Sequence, residues 1–495
     1  MSNLSELLPS GGGQNQVEFV ASGTLPNGKP VILKSNGQVE VVGYTAISQT
    51  IPAGSEAVFN TASTYFSSIA FDPNTTGKFV VVYRDDGNSE HGTAIVGTVS
   101  GTSISFGAES VFNAASTTWT SIAFDPNTTG KFVVVYKDEG NSSLGTAIVG
   151  TVSGTSISFG SEVVFNSGVT SYLSLSFDPN TANKFVVVYR DDSNTDDGTA
   201  VVGTISGTSI SFGSEVVYNT ANTQYNDIAF DPNTANKFVV VYKDIGNGAY
   251  GTARVGTVSG TSISFGSAVV FNTGTTSYLA VAFNPNTANK FVVAYSDGGN
   301  SGYGTAILGT VSGTSVSFGS EVVFNSANSL YISAAFDPNT ANKFVVTYKD
   351  TNPFGGNAVV GTVSGTSISY GTEAVFNSGS SNYTSIAFDP NTVGKFVVAY
   401  LDGGNSSYGT AVTGQIATSI TNLTSTNLIG IAAEAASSGA TAKINTWGGI
   451  NEAQSSLTIA SDYYVQTDGT ITTATGGQKV GQAISATTIN MRNQP

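Results

Sequence analysis

The 495-residue sequence contains no cysteine, so it can form neither disulfides nor thiolate metal sites. It has one histidine, His91, which confines any imidazole-based catalysis to a single position. Charged residues make up 10% of the chain, and 18 lysines and arginines face 33 aspartates and glutamates. The resulting net charge of −15 argues against a nucleic-acid backbone as partner, because phosphate binding needs clustered basic side chains. No apolar run approaches the roughly 18 residues of a membrane span, so no membrane insertion is expected. Met1 to Gln16 lacks the basic-then-apolar pattern of an export signal. Glycine, serine, threonine and asparagine are abundant instead, which implies a surface solvated by hydroxyls and amides more than by ions.

Against this background one segment recurs seven times. The tetrapeptide Asp-Pro-Asn-Thr, once with Asn in first place, begins at Asp72, Asp125, Asp178, Asp231, Asn284, Asp337 and Asp389. The steps are 53 residues, with 52 for the last, and the Lys-Phe pair that follows keeps them. A fixed period near 50 residues with strand-like content is the signature of a β-propeller or related array. In the second copy, Thr120–Phe124 reads as a short strand and Asp125–Gly130 as a turn. Lys131–Tyr136 is a continuous apolar, β-branched run, as expected of a strand covered on both faces. Gly145–Val152 reads as a third strand. After a Ser-Gly-Thr-Ser turn, Ile157–Phe159 and Glu162–Phe165 read as the outer one. Each copy is therefore expected to form one four-stranded antiparallel blade.

The last copy lacks its outer strand, and the missing piece stands before the first copy as Gly54-Ser-Glu-Ala-Val-Phe-Asn60. An N-terminal outer strand joined to three C-terminal ones closes a ring, whereas an open solenoid would carry polar caps. The expected fold is all-β: a seven-bladed β-propeller of four-stranded blades over residues 47–420, closed by an N-terminal outer strand. Residues 17–46 and 421–495 fall outside the period and carry hairpin signals such as Asn27-Gly28, Asn36-Gly37 and Asp468-Gly469. They are expected to form one small β attachment domain into which the propeller is inserted, preceded by a flexible arm over residues 1–16.

Comparing copies sorts the connections. The marker turn and the Ser-Gly-Thr-Ser turn are nearly uniform. The segments before the innermost strand (Ser63–Phe66, Ser116–Trp119, Asn222–Tyr225, Asn328–Tyr331) and the loops after the second strand differ from copy to copy. By the geometry of known propellers the uniform turns share one face and the variable loops the other. The chain enters and leaves on the uniform face, so the variable face is expected to point away from the terminal domain as a mounted binding head.

Six residues before each marker stands an aromatic: Phe66, Trp119, Tyr172, Tyr225, Tyr278, Tyr331 and Tyr383. These are the candidate ligand-binding residues. They either plug the joins between blades or stack on sugar rings, with short polar side chains for the hydroxyls. The repeated Asp-x-Gly-Asn-Ser loops, as at Asp138, Asp297 and Asp402, read as tight turns in preference to calcium sites, so no metal or cofactor is expected. The outer-strand glutamates (Glu56, Glu109, Glu162, Glu215, Glu321, Glu373) read as solvated edge charges, and the marker aspartates as turn residues. No catalytic residue is assigned. Nothing around His91 suggests a triad, the acidic excess of Asp191, Asp192, Asp196 and Asp197 is confined to one loop, and Arg84, Arg190 and Arg254 fall in separate copies. The chain is read as a binding protein and not an enzyme.

The termini carry a resemblance. Met1-Ser-Asn-Leu-Ser-Glu-Leu-Leu-Pro-Ser10 and Phe19-Val-Ala-Ser-Gly-Thr-Leu25 resemble the start of structural proteins of tailed phages, marine and cyanobacterial ones especially. Ile429-Gly-Ile-Ala432, Tyr463-Tyr-Val-Gln-Thr-Asp-Gly-Thr470 and Val480-Gly-Gln-Ala-Ile-Ser-Ala486 are similar to the ends of the same proteins. The resemblance covers the termini alone and implies a virion component, a tail or capsid fibre, spike or decoration protein, assembled in the host cytoplasm. Its implied partners are other capsid or tail proteins and a host-surface glycan or receptor. A homo-oligomer is expected, although no coiled-coil heptads mark one. Alternatives are a passive decoration protein without ligand and a polysaccharide depolymerase.

Overall fold

The computed structural model describes residues 15–491, which form β-strands joined by turns, several containing a single 3-10 turn. The chain divides into two compact units, one taking both chain ends up to Ile47 and from Thr418, the other running from Ser48 to Ala417. The all-β class read from the sequence holds.

In the second unit the second copy shows the plan. Lys131–Asp138 pairs antiparallel with Leu144–Ser153 on one side and with the end of the long strand Ser110–Phe124 on the other. Leu144–Ser153 then pairs with Ser156–Phe159 and with the start of the next long strand, Val163–Phe177. The apolar run is enclosed on both faces, with Phe132, Val133, Val134, Val135 and Tyr136 all at 0% exposure. Val133 and Val135 share a buried cluster with Phe177, Phe185 and Val187 of the following copy. The Phe of each Lys-Phe pair fits under a glycine of the third strand; a Cβ on Gly150 would collide with the Phe132 ring.

Three sequence expectations need correction or extension here. First, the variable segments before the innermost strands are not loops. One unbroken 15-residue strand (Ala57–Phe71, Ser110–Phe124, Val163–Phe177, Val216–Phe230, Val269–Phe283, Val322–Phe336) leaves the outer edge of one sheet and becomes the inner strand of the next. Only before the last copy does it break, into Ala374–Asn377 and Ser381–Phe388.

Second, the outer-strand glutamates are exposed, as read, but each also accepts a hydrogen bond from a buried tyrosine. The pairs are Tyr83 to Glu109 (2.8 Å), Tyr136 to Glu162 (2.7 Å), Tyr189 to Glu215 (2.7 Å), Tyr295 to Glu321 (2.6 Å), Tyr348 to Glu373 (2.7 Å) and Tyr400 to Glu56 (2.8 Å). A buried phenol needs such a partner. The fourth copy has Ala268 at this position, and the Tyr242 hydroxyl is left without a partner among the described residues.

Third, the marker aspartate is more than a turn residue. Asp72 Oδ1 caps the amide of Asn74, while Oδ2 accepts from the amide of Gly130 in the next copy. Asp178, Asp231 and Asp337 make the same link to Asn236, Asn289 and Gly394.

The link also joins the ends, because Asp389 Oδ2 accepts from Gly77 N at 3.1 Å. The third strand of the last copy, Tyr408–Gln415, pairs with Ala57–Ser63, and the amides of Thr50 and Ala53 donate to the carbonyls of Gln415 and Thr413. The strand order of this unit thereby closes on itself.

The first unit interleaves the two chain ends. One sheet runs Gln16–Val20, Thr441–Asn445, Leu428–Ala432, Pro30–Leu33, Val39–Val41. A second is built from Ile450–Asn451, Asp462–Val465, Ile471–Thr472, Gln478–Ala483 and Ile489–Asn490. Buried Val31 and Val39 pack with Ala432, Ala442 and Ile444, so neither end encloses this core alone. Of the arm expected over residues 1–16, residues 1–14 lie outside the described residues. Gln16 is already in a strand, paired with Asn445, and the Asn15 amide donates to the Trp447 carbonyl.

Candidate functional site

Each long strand carries a bulge at its aromatic. In the first copy Tyr65 pairs with Arg84 and Ser68 with Val82, leaving Phe66 and Ser67 as the out-of-register pair. Phe66, Trp119, Tyr172, Tyr225, Tyr278, Tyr331 and Tyr383 all adopt left-handed backbone, with φ between 49° and 53°. That conformation costs a non-glycine residue about 1–2 kcal/mol, so seven aromatics in it call for a compensating role. The bulge turns the strand inward and aims each aromatic at its counterparts, at the end of the sheet opposite the marker turn.

The seven side chains form a closed ring. Successive centroids lie 5.5, 4.3, 5.3, 5.1, 5.2, 4.8 and 5.1 Å apart from Phe66 round to Tyr383 and back, with planes tilted by 42° to 57°. All but the Trp119–Tyr172 pair, which is slightly closer, fall in the favourable range for aromatic pairs. The structure thus brings all seven sequence-selected residues to one place. Each is half-buried, and together they wall a cavity of about 480 Å³. Burial pushes the hydroxyls of Tyr172, Tyr225, Tyr278 and Tyr383 above the ordinary phenol range, and that of Tyr331 up to about 12.

The residue after each aromatic lines the floor: Ser67, Thr120, Leu173, Asn226, Leu279, Ile332 and Thr384. Ser67, Thr120 and Thr384 donate to the carbonyls of Tyr383, Phe66 and Tyr331, so their hydroxyls are satisfied internally. Asn226 differs. It is 8% exposed, and both its amide nitrogen and its carbonyl oxygen lack a partner among the described residues. A buried amide without partners is costly, and this one borders an open cavity.

One position deeper, Ser68, Ser121, Ser333 and Ser385 accept backbone amides from the following copy. The fourth copy has Asp227 there. Its carboxyl accepts from Ser174 Oγ (2.8 Å), Val281 N (2.8 Å) and its neighbour Ile228 N (2.9 Å), spanning three copies. Burial, offset in part by these bonds, pushes it up to about 6.

A ring of cations around the mouth escaped the sequence reading. The residue after the buried tyrosine of each second strand is Arg84, Lys137, Arg190, Lys243, Ser296, Lys349 or Leu401. Arg84 lies over the Tyr65 ring at 4.8 Å, Arg190 over Tyr172 at 5.0 Å and Lys243 over Tyr225 at 5.7 Å. The available signal was a basic residue at a fixed offset from five of the seven Lys-Phe markers, visible only once strand alternation assigns it to the same face as the aromatic.

The loops beyond are tight turns. Asp85, Asp138 and Asp297 cap the amides of Gly87, Gly140 and Gly299, and the same oxygens accept from Asn60, Asn113 and Asn272. In the acidic loop of the third copy, Asp192 and Asp196 face Arg190 at 2.5 and 3.7 Å. No cluster of three metal-ligating side chains occurs among the described residues, and no helix among them is long and apolar enough to cross a membrane.

No family model matches the chain, and no curated protein matches it. Among solved structures it is similar to the BP39L lectin from Burkholderia pseudomallei, with a TM-score of 0.54 and 8% identity, covering 72% of this chain and 99% of the lectin. It is also similar to Sqt1 from Chaetomium thermophilum (TM-score 0.46, 13% identity, 72% and 83% covered). A third likeness is to the NanB sialidase from Streptococcus pneumoniae (TM-score 0.43, 13% identity, 75% and 71% covered). At such identities the likeness is one of fold: an all-β, propeller-like architecture.

Proposed function

We propose that residues 48–417 form a seven-bladed β-propeller whose aromatic mouth binds a glycan without a catalytic step. We read the chain as a virion fibre, spike or decoration protein of a tailed phage, a homo-oligomer, whose terminal unit docks on capsid or tail and whose propeller meets host-surface glycan. The observation that carries the binding reading is the closed ring of seven half-buried aromatics around a cavity of about 480 Å³, with the unpartnered Asn226 amide at its floor. Aromatic faces suit the apolar side of a sugar, and a free amide suits its hydroxyl or acetamido groups. The similarity to a lectin fits this reading as a likeness of scaffold. The virion assignment rests on the resemblance of the termini.

Binding of the full-length chain to host-envelope polysaccharides tests the proposal. Saturable binding, weakened by Trp119→Ala or Tyr225→Ala in chains that remain folded, supports it. The mutual ring contacts also favour a second reading, in which the aromatics only pack the joins of a passive decoration protein. In that case the same substitutions lower the unfolding temperature and no polysaccharide binds.

A further inference from the structure

The cations of the mouth are not equivalent. In the first three copies the residue two places on is acidic and neutralises the base: Arg84 with Asp86 at 2.8 Å, Lys137 with Glu139 at 3.3 Å, Arg190 with Asp192 at 2.5 Å. In the fourth and sixth copies that acid is replaced by Ile245 and Thr351. Lys243 and Lys349 accordingly have no carboxylate partner among the described residues; Lys349 donates only to the Asn382 amide oxygen, at 2.8 Å. The aspartates that follow these lysines, Asp244 and Asp350, fall on the alternate face of the strand. Burial lowers the proton affinity of both lysines, as expected for ammonium groups taken partly out of water without a counter-charge.

In a protein with net charge −15, the fourth and sixth copies therefore each present one ammonium group without a carboxylate partner among the described residues. The fourth copy also holds Asn226, whose amide is unpartnered among the described residues and nine-tenths buried at the cavity floor. Lys243 reaches the ring of Tyr225, the residue next to Asn226 in the chain. We infer that the mouth selects an anionic sugar, seated on Tyr225 and Tyr278 with a hydroxyl or acetamido group on Asn226 and its acidic substituent on Lys243. The inference rests on the glycan reading above and adds to it the charge of the ligand and the sector that holds it. Because the other copies lack this combination, the stoichiometry is one sugar per chain, in spite of the sevenfold repeat.

Calorimetric titration of the full-length chain with three probes tests this: an oligogalacturonate, a sulfated oligosaccharide and a neutral malto-oligosaccharide. The expected result is one site per chain for an acidic probe, weakened by salt, with the carboxylated and sulfated arms identifying the anion. Lys243→Gln is expected to weaken that binding about tenfold, a change typical of losing one charge-assisted bond. Lys243→Arg should restore most of it, and Lys137→Gln, already neutralised by Glu139, should change it little. Equal affinity for neutral and acidic probes, insensitive to salt and to Lys243→Gln, would overturn the inference and leave the glycan reading standing. Failure of every probe and of every host polysaccharide would overturn both. The salt dependence is read on the unmodified chain, so the test survives a variant that fails to fold.

Discussion

Asp227 and Ala268 each break the repeat at a single residue, and each break has a measurable consequence. Asp227 holds its proton more tightly in the folded chain, at about 6, than an ordinary carboxyl near 4 does. Its contribution to stability is therefore complete below about pH 4 and lost as the pH rises through about 6. The fourth copy should tolerate the serine found at this position in five of the other copies. Asp227→Ser is expected to gain on the unmodified chain between about pH 4.5 and about pH 7.5 in thermal unfolding, and an unchanged difference across that range would refute the titration. Ala268 leaves the Tyr242 hydroxyl orphaned, with Arg254 close enough to act on it electrostatically. Ala268→Glu should supply the acceptor present in the other copies and stabilise the fold by about 1 kcal/mol, read as a higher unfolding temperature.

At the scale of the element, the marker turn couples each copy to the next. Asp389 bonds Gly77 across the join between the last and first copies, whereas the Oδ2 atom of Asp125 has no partner among the described residues. Asp389→Asn is therefore expected to cost about 1–3 kcal/mol and Asp125→Asn distinctly less, as compared by denaturant unfolding. The strand content of the repeat was legible because its second strand is one continuous apolar run, and the closing outer strand because its segment is displaced to the N-terminal side. The long strands were misread as ending in loops for a physical reason. The segments leading to Phe66, Trp119 and Tyr225 are short, polar and different in each copy, which is loop composition, while the left-handed residue that keeps the strand continuous leaves no mark in the sequence. The role of the glutamates was hidden because the partner of Glu109 is Tyr83, on a different strand and 26 residues away.

At the scale of the molecule, sevenfold repetition builds the aromatic ring, and the proposed selectivity rests on departures from it. The aromatic ring was legible as a list of residues at one offset, and the structure shows that the list is a closed wall. The directional part was not legible. Asn226, Asp227, Lys243 and Ala268 all fall in the fourth copy, and each looks unremarkable until strand alternation and burial assign it a face. The charge of the chain as a whole also conceals the local sign at the mouth, since net charge averages over surfaces that a ligand never meets. The most direct measurement of the central claim uses Trp119, a member of the ring and one of two tryptophans. With Trp447→Phe removing the other emitter, Trp119 fluorescence is followed as the full-length chain is titrated with a host-envelope polysaccharide. A saturable change, abolished by Tyr225→Ala, is expected if the ring holds the sugar. Binding detected by other means with Trp119 emission unchanged would contradict the account.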